Sequence, residues 1–130
     1  MKIFKIKRMI SHEVFLFTDA SFYTNVKKGK IGYFINFSNV SCLNKVGFKD
    51  INTFDIVMAE LMGIHEGLKE LKKINQNINS HKYINIVTDS IQSITMLNYT
   101  LNGNKTKNKK YHKMINNIIT LMKINNCIFK

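Results

Sequence analysis

The segment Val14–Ser21, Val-Phe-Leu-Phe-Thr-Asp-Ala-Ser, decides the fold of this 130-residue chain. It begins with a short apolar run that is typical of a buried strand, and the run leads directly to a Thr-Asp pair. The segment Tyr83–Ser90 has the same form, since Tyr-Ile-Asn-Ile-Val-Thr is followed by Asp-Ser. If the two strands lie side by side and parallel, Asp19 and Asp89 meet outside their carboxyl ends. Open α/β sheets place their functional sites there.

Between these two strands the hydrophobic period changes to that of a helix. Apolar residues recur at spacings of three and four, at Val57, Leu61, Ile64, Leu68 and Leu71. Thr53 or Asp55 is predicted to cap the start of this helix. Glu60 lies within it, and Gly63 and Gly67 share the face of Glu60. Two glycines weaken a helix by about 1 kcal/mol each relative to alanine, so we expect a close approach to the sheet at these positions.

The remaining segments complete a mixed α/β sheet flanked by helices. We predict strands over 31–37 and 40–48 joined by a turn at 38–39, and a loop or hairpin connection over 19–29. Asp89-Ser90 opens a helix that continues to about residue 97, and a basic loop covers residues 102–110. A last helix over 111–124 and a short strand over 127–129 follow. Residues 2–7 are either an edge strand or a flexible start within a possible N-terminal extension, residues 1–12, of one domain spanning 1–130.

Three of the eight acidic residues of the chain, Asp19, Glu60 and Asp89, are predicted to converge. Carboxylates within a few ångströms of one another repel, and burial makes their charge costly. Mg²⁺ is a hard cation that prefers oxygen ligands and would relieve this repulsion. Two such ions, about 4 Å apart, would activate water for in-line attack on a phosphodiester.

Each acid also has an ordinary structural explanation. Asp89 is a suitable N-cap for the helix that follows it. Asp19 fits a turn, and Glu60 taken alone would be a solvated residue on the surface of its helix. These alternatives are weaker for the ordered set than for each residue separately, because all three acids occupy the elements that a single site would require.

These motifs resemble those of the ribonuclease H family, type 1-like, within the RNase H-like superfamily. Thr18–Ser21 is similar to the family's Thr-Asp-Gly-Ser at the end of its first strand. The segment Ala59–Met62, followed by Leu68–Leu71, resembles its first-helix Glu-Leu-x-Ala…Leu signature. Val87–Ser90 resembles its Thr-Asp-Ser at the fourth strand. The order and spacing of the elements agree over residues 14–130.

The resemblance implies a five-stranded sheet of order 3-2-1-4-5 and cleavage of the RNA strand of RNA–DNA hybrids. It implies that Asp19, Glu60 and Asp89 are catalytic ligands of two Mg²⁺ or Mn²⁺ ions, with Asp19 bridging both. It also implies that Ser21 approaches the hybrid backbone. A basic segment in the family grips the DNA strand, and the corresponding lysines here are Lys105, Lys107, Lys109 and Lys110. A solvated charge run is the alternative for these lysines.

The chain departs from the family pattern at its fourth acid. Family members carry this acid after the fifth strand, whereas this chain has no acidic residue after Asp89. The sequence therefore does not specify a second metal site. A catalytically weak or inactive nucleic-acid-binding or scaffold subunit of a larger assembly is the main alternative, and a different nuclease on the same fold is a third. His112 matches no family motif and is interpreted as a surface histidine.

Composition favours an intracellular protein with a polyanionic partner. The net charge is +12, and 19 of the 20 basic residues are lysine. Lysine supplies point charges for phosphates but little base-specific geometry, and part of the excess is interpreted as compositional bias. No apolar run approaches the length of a membrane span, and residues 1–10 do not resemble a secretory signal. Cys42 and Cys127 are predicted to be reduced, buried thiols.

Overall fold

The computed structural model describes residues 13–22, 28–37, 44–53, 55–75, 83–105, 108–125 and 127–129. Within these ranges the chain forms five strands and three α-helices, in the order β1 (Glu13–Phe22), β2 (Gly29–Phe37), β3 (Lys45–Ile51), α1 (Ile56–Asn75), β4 (Tyr83–Val87), α2 (Ile91–Leu101), α3 (His112–Asn125) and β5 (Cys127–Phe129). A short 3-10 turn, Lys109–Tyr111, leads into α3. None of the helices in the described ranges is long and apolar enough to cross a membrane.

The five strands form one mixed sheet in the order β3-β2-β1-β4-β5. The first three strands are an antiparallel meander, in which β1 pairs with β2 and β2 with β3. Strand β4 then pairs with β1 in parallel, and β5 pairs with β4 in parallel. This arrangement confirms the predicted α/β class and the strand order 3-2-1-4-5.

Several element boundaries differ from the sequence prediction. Strand β1 continues through Asp19 to Phe22, so the loop predicted to start at residue 19 is wrong over 19–22. The reason is the ladder with β2, which extends to the pair Phe22↔Gly29. Strand β3 covers Lys45–Ile51 and is shifted towards the C-terminus of the chain relative to the predicted 40–48. Helix α2 continues to Leu101, four residues beyond the predicted end.

Some predictions fall outside the described residues. They concern the possible extension over 1–12, the turn at 38–39 and the first part of the strand predicted over 40–48. Cys42, Lys107 and the side chain of Cys127 also lie outside the described set. These predictions stay predictions.

The main hydrophobic core lies between one face of the sheet and the helices. Alternate residues of β1 and β4, such as Leu16 and Ile86, are fully buried, as the period of two in a strand requires. Helix α1 packs on β1 and β2, and α3 packs on α1. The helices contribute mainly long aliphatic side chains, among them Leu61, Ile64, Leu68, Leu71, Leu97, Ile115 and Ile118. The sheet and all three helices therefore share one core.

The side chains that alternate with the core residues of β1 include exposed aromatic rings. The rings of Phe15 and Phe17 stack with centroids 6.2 Å apart, and those of Phe17 and Phe34 with centroids 6.1 Å apart. Phe17 is 41% exposed, and Phe48 on β3 is 72% exposed. In the described residues, these rings form an apolar patch on this face of the sheet that is partly open to solvent.

Candidate metal centre

The parallel register of β1 and β4 places Asp19 and Asp89 at equivalent positions. The last residues paired between these strands are Phe17 and Val87, and each acid follows two residues later. Beyond this pair β1 remains joined to β2, where Asp19 is opposite Gly32. Strand β4 instead ends at Val87, and the chain turns into α2. Both carboxylates therefore lie where the two strands separate.

Helix α1 brings Glu60 to the same place because it lies close to the sheet. A Cβ atom built on Gly67 would be 2.5 Å from Cδ1 of Leu16, which is itself fully buried. Only glycine fits at this crossing without displacement of the core. A Cβ on Gly63 would lie 3.7 Å from the Asp19 carbonyl oxygen, an ordinary contact distance. The predicted close approach thus explains Gly67, whereas Gly63 lies beside Asp19 without a steric need for glycine.

The three predicted acids form one cluster. One carboxylate oxygen from each of Asp19, Glu60 and Asp89 can be chosen so that all three lie within 4.8 Å of one another. Glu60 is only 7% exposed, whereas the two aspartates are exposed to solvent. The expectation that Glu60 alone would be a solvated helix residue is therefore wrong, because α1 turns it towards the sheet.

The local structure also excludes the two other ordinary explanations. Ser90 caps α2, since its side-chain oxygen accepts a hydrogen bond from the Ser93 amide at 3.3 Å. Asp89 precedes the cap and is not needed to start the helix. Asp19 lies within β1, where its Oδ1 accepts a hydrogen bond from the Ala20 amide at 2.9 Å, so it is not a turn residue.

The electrostatics of Glu60 are unusual for a glutamate. Burial, together with the negative charges of Asp89 and Asp19, raises the pKa of Glu60 to about 7. Its Oε2 atom is buried and makes no hydrogen bond within the described part of the chain. A buried carboxylate oxygen without a partner is costly, and a cation beside it would remove that cost.

The donor set fits a hard divalent cation. All three groups offer carboxylate oxygens, which are the ligands that Mg²⁺ and Mn²⁺ prefer. Two of the carboxylates are open to solvent and one is anchored in the core, so a cation held by the three would keep positions open to water and other oxygen ligands. No fourth acid joins this cluster in the described residues.

A cleft of about 350 Å³ opens beside two of the acids. It is lined by Glu60, Asp89, Ser90, Ile56, Val57, Ile91 and Gln92. Ile56 and Ile91 are each the first residue of a helix, and they are 48% and 78% exposed. The sequence patterns do not single out Ile56 and Ile91, although the predicted helix starts at Thr53 or Asp55 and at Asp89 place both residues in a first helical turn near the acids.

Only some of the lysines predicted to contact nucleic acid are available to a ligand. The Nζ atom of Lys110 lies 2.6 Å from Asp55 Oδ2, and the Tyr111 hydroxyl donates a hydrogen bond of 2.7 Å to the same oxygen. Lys105, Lys109 and Ser21 are exposed. Lys110 is therefore held by a carboxylate, and the loop is tied to the start of α1.

Asp55 has two roles: it accepts the contacts from Lys110 and Tyr111, and it caps α1. Its Oδ1 accepts a hydrogen bond of 3.0 Å from the Met58 amide, which confirms Asp55 as one of the two predicted caps. Burial alone would raise the pKa of Asp55. Hydrogen bonds from Lys110, Tyr111 and the Met58 amide, together with the positive charge of Lys110, outweigh burial and lower this pKa to about 2.

Comparison with known proteins agrees with this architecture. The family profile described as RNase H matches residues 11–129. Among solved structures, RNase H1 from the halophilic archaeon Halobacterium salinarum superposes with a TM-score of 0.68 at 13% identity, over 90% of this chain and 82% of that chain. The N-terminal RNase H domain of Rv2228c from Mycobacterium tuberculosis, solved as a fusion with maltose-binding protein, gives 0.70 at 15%, over 92% and 83%.

A third similar structure is LC11-RNase H1 in complex with an RNA/DNA hybrid. It gives a TM-score of 0.66 at 14% identity, over 90% of this chain and 83% of that chain. At these identities the superpositions show the fold, whereas the profile match covers nearly the whole sequence. No curated protein sequence matches the chain.

Proposed function

The chain belongs to the RNase H family, and from this premise we propose that it is a metal-dependent endoribonuclease that hydrolyses the RNA strand of RNA–DNA hybrids. The observation that carries the proposal is the cluster of Asp19, Glu60 and Asp89, whose carboxylate oxygens lie within 4.8 Å of one another. A cluster of this kind is suited to hold divalent cations against a phosphodiester.

Bound Mg²⁺ or Mn²⁺ would supply charge stabilisation for the phosphorane-like transition state and a nucleophilic water at neutral pH. The residues of the chain would hold the ions and orient the reacting groups. Asp19 and Asp89 offer solvent-facing oxygens at the end of the paired strands, and Glu60 offers a buried oxygen from α1. Because burial and its acidic neighbours raise the pKa of Glu60 to about 7, this residue must release a proton to act as a ligand near neutral pH.

Further observations support a nucleic-acid substrate. The net charge of +12 favours binding of a polyanion. A structure of similar fold, LC11-RNase H1, was solved with an RNA/DNA hybrid. Ser21 lies two residues beyond Asp19 on β1 and is exposed, which suits the proposed approach to the hybrid backbone. Lys105, Lys109 and Lys110 are exposed lysines proposed to contact the DNA strand, although Lys110 also pairs with Asp55, and Lys107 lies outside the described residues.

Cleavage of an end-labelled RNA–DNA hybrid tests the proposal. We expect cleavage of the RNA strand in Mg²⁺ or Mn²⁺, none in EDTA, and a loss of at least about 100-fold in Asp19→Asn, because one metal ligand loses its charge. Asp50→Asn is the matched control, since Asp50 is exposed on β3 and pairs only loosely with Lys30 at 3.9 Å. Equal activity of Asp19→Asn and the wild type would contradict the assignment of the site.

The second candidate is a catalytically weak or inactive module that binds nucleic acid within a larger assembly. It is favoured by one observation: within the described residues, no fourth acid joins Asp19, Glu60 and Asp89. In that case the wild type would bind the hybrid without cutting it, and Asp19→Asn would bind equally well. Cleavage of branched or duplex DNA in the same assay, with the hybrid left intact, would instead indicate a different nuclease on this fold.

A further inference from the structure

The cleft beside Glu60 and Asp89 is walled by branched aliphatic side chains, which are Ile56, Val57 and Ile91. Val57 is buried, whereas the two isoleucines are the first residues of α1 and α2 and are 48% and 78% exposed. Ile56 and Ile91 therefore form the outer part of the wall. Large apolar side chains are costly in water, and a ligand that covers them removes this cost.

The polar groups of the lining are largely committed within the protein. The Ser90 hydroxyl donates to Ser93 Oγ at 2.7 Å and accepts a hydrogen bond from the Ser93 amide, so its hydrogen is not available to a ligand. Glu60 and Asp89 belong to the acid cluster. Among the described lining residues, this leaves the exposed Gln92 as the uncharged side chain that can donate a hydrogen bond to a ligand.

The position of the cleft limits what can occupy it. Glu60 and Asp89 belong both to the cleft and to the acid cluster, so the two are continuous. The volume of about 350 Å³ lies within the range of small-ligand sites. When a phosphodiester lies at the acids, the groups attached to its bridging oxygens are sugars. The group that reaches the aliphatic wall is therefore the sugar next to the bound phosphate.

An aliphatic wall distinguishes between substituents at the 2′ position of this sugar. A 2′-hydroxyl held against the side chains of Ile56 and Ile91 loses water and gains no hydrogen bond from them, which is unfavourable. A 2′-methoxy group has no hydrogen to donate and adds apolar surface that the isoleucines can cover. Contact with the wall therefore favours an apolar 2′ substituent over the hydroxyl.

We propose that Ile56 and Ile91 form an apolar sugar subsite that prefers a 2′-O-methyl ribonucleotide to an unmodified one, next to the phosphodiester at the acid cluster. The inference rests on the proposed function and deepens it, because it identifies Ile91 as a residue that determines specificity for the sugar. Selection of the RNA strand then depends on contacts with other nucleotides.

Binding measurements in Ca²⁺, which supplies an oxygen-binding cation at the acids, test the subsite. The ligands are two duplexes with the same DNA strand, paired with either an RNA strand or a fully 2′-O-methylated strand of the same sequence. The quantity compared is the ratio of the two dissociation constants, and the RNA strand is checked for integrity on a gel. Because every nucleotide is modified, this ratio does not depend on the register in which the protein binds.

We expect Ile91→Asn to shift this ratio about fourfold towards the RNA duplex, the value of one methyl-sized group removed from water. Ile91→Ala should shift it in the same direction, because the apolar contact is lost without a new polar group. Both variants should fold, since Ile91 is largely exposed. Ile124→Asn is the matched control, because Ile124 is an isoleucine of α3 that is 55% exposed and does not line the cleft.

Cleavage in Mg²⁺ tests the position of the subsite. The substrates are hybrids whose RNA strand carries a single 2′-O-methyl nucleotide, moved by one position from strand to strand. We expect the wild type to cut one bond, at a fixed distance from the modification, at least as fast as in the unmodified strand. Ile91→Asn should raise KM for that bond and leave kcat unchanged, because the wall binds the sugar and does not contact the reacting atoms.

The outcomes separate this inference from the proposed function. Equal binding ratios for the wild type, Ile91→Asn and Ile91→Ala would overturn the subsite, whether or not the hybrid is cleaved. An equal shift in Ile124→Asn would also overturn it, since the effect would not depend on the cleft. A shift confined to the Ile91 variants, with no cleavage in Mg²⁺, would support the subsite and count against the endoribonuclease.

Discussion

At the scale of single residues, Glu60 has the most unusual environment of the acid cluster. It is the buried member of a set in which both partners are exposed, and its Oε2 has no hydrogen-bond partner in the described residues. Its pKa of about 7 means that it gains its charge close to physiological pH. The cluster is therefore most costly to the fold when it is fully ionised and holds no cation.

This leads to a prediction about stability and pH in the absence of divalent ions. The folded-state pKa of Glu60 is raised from 4.5 to about 7, so the folded protein binds more protons than the unfolded chain between these values. The free energy of unfolding should fall as pH rises through this window, by at most about 3 kcal/mol. Glu60→Gln should lack this loss and should be more stable than the wild type at pH 8.

Urea denaturation in EDTA at pH 5, 6, 7 and 8 measures this difference. Asp50→Asn should follow the wild type, because Asp50 is exposed and lies outside the cluster. Adding Mg²⁺ at pH 8 should restore stability to the wild type and not to Glu60→Gln, since a ligand that binds only the folded state stabilises it. Parallel pH profiles for the wild type and Glu60→Gln would contradict the environment described for Glu60.

At the scale of elements, the approach of α1 to the sheet determines where Glu60 lies. Gly67 and Gly63 provide an internal comparison on the same helix. Replacement of Gly67 by alanine places a Cβ 2.5 Å from Leu16 in a closed core, which we expect to destabilise the fold by about 1–3 kcal/mol. Gly63→Ala meets atoms only at 3.7 Å or more and should be neutral or stabilising by up to about 1 kcal/mol.

Thermal and urea unfolding of the two variants measures this contrast. Hybrid cleavage should also fall in Gly67→Ala, because a shift of α1 moves Glu60 relative to Asp19. If the two alanine variants had equal stability, the contact between α1 and β1 would be looser than described.

The start of α1 depends on Asp55, which also holds the basic loop. Asp55→Ala removes the cap and the acceptor for Tyr111 and should cost about 1–2 kcal/mol of stability. Asp55→Asn keeps a good capping residue and loses only the charged acceptor, so it should cost less. Because the pKa of Asp55 is lowered to about 2, the advantage of the wild type over Asp55→Asn should be present above its ordinary pKa of 3.8 and should shrink as pH falls towards 2.

Equilibrium unfolding of these two variants at pH 7 and at pH 3 measures both effects. Asp50→Ala serves as the control, since it removes an exposed aspartate that caps no helix in the described residues. Equal losses of stability in Asp55→Ala and Asp50→Ala would show that the helix cap and the contacts of Asp55 with Lys110 and Tyr111 contribute little to the free energy of unfolding.

At the scale of the whole molecule, one hydrophobic core joins the sheet to all three helices. We therefore predict that residues 1–130 unfold as one cooperative unit, in line with a single domain. Far-ultraviolet circular dichroism follows the helices, and tyrosine fluorescence follows the five tyrosines, of which Tyr111 is buried in the core and Tyr33 packs against it. The two denaturation curves should coincide. Separate midpoints would indicate that the chain contains two independently folding parts.

Much of this architecture could be predicted because local patterns and tertiary structure agree. The Thr-Asp pairs after two apolar runs located Asp19 and Asp89, and the period of α1 located Glu60. The extension of β1 to Phe22 could not be predicted, since residues 20–22 have no strand pattern of their own and are held by pairing with β2. The choice of Ser90 over Asp89 as cap depends on backbone geometry that composition does not reveal.

The contacts of the basic loop were beyond prediction for a different reason. Asp55 and Lys110 are far apart in sequence, and their pairing follows from the packing of α3 against α1. The same holds for a cavity of about 200 Å³ between the end of α2 and the start of α3, whose residues come from the two helices and the turn between them. No periodic pattern marks either feature in the sequence.

The parallel pairing of β1 with β4 also has a consequence for the order of folding events. Phe17 and Val87 pair across 87 − 17 = 70 positions of chain, whereas β1, β2 and β3 pair with near neighbours. Short loops close sooner than long ones, so we expect the meander to form early and the β1–β4 ladder late. Repulsion among the three carboxylates then arises only in the last steps. A divalent cation that binds the three carboxylates therefore stabilises contacts that form late in folding. We expect such a cation to slow unfolding at least as much as it speeds refolding.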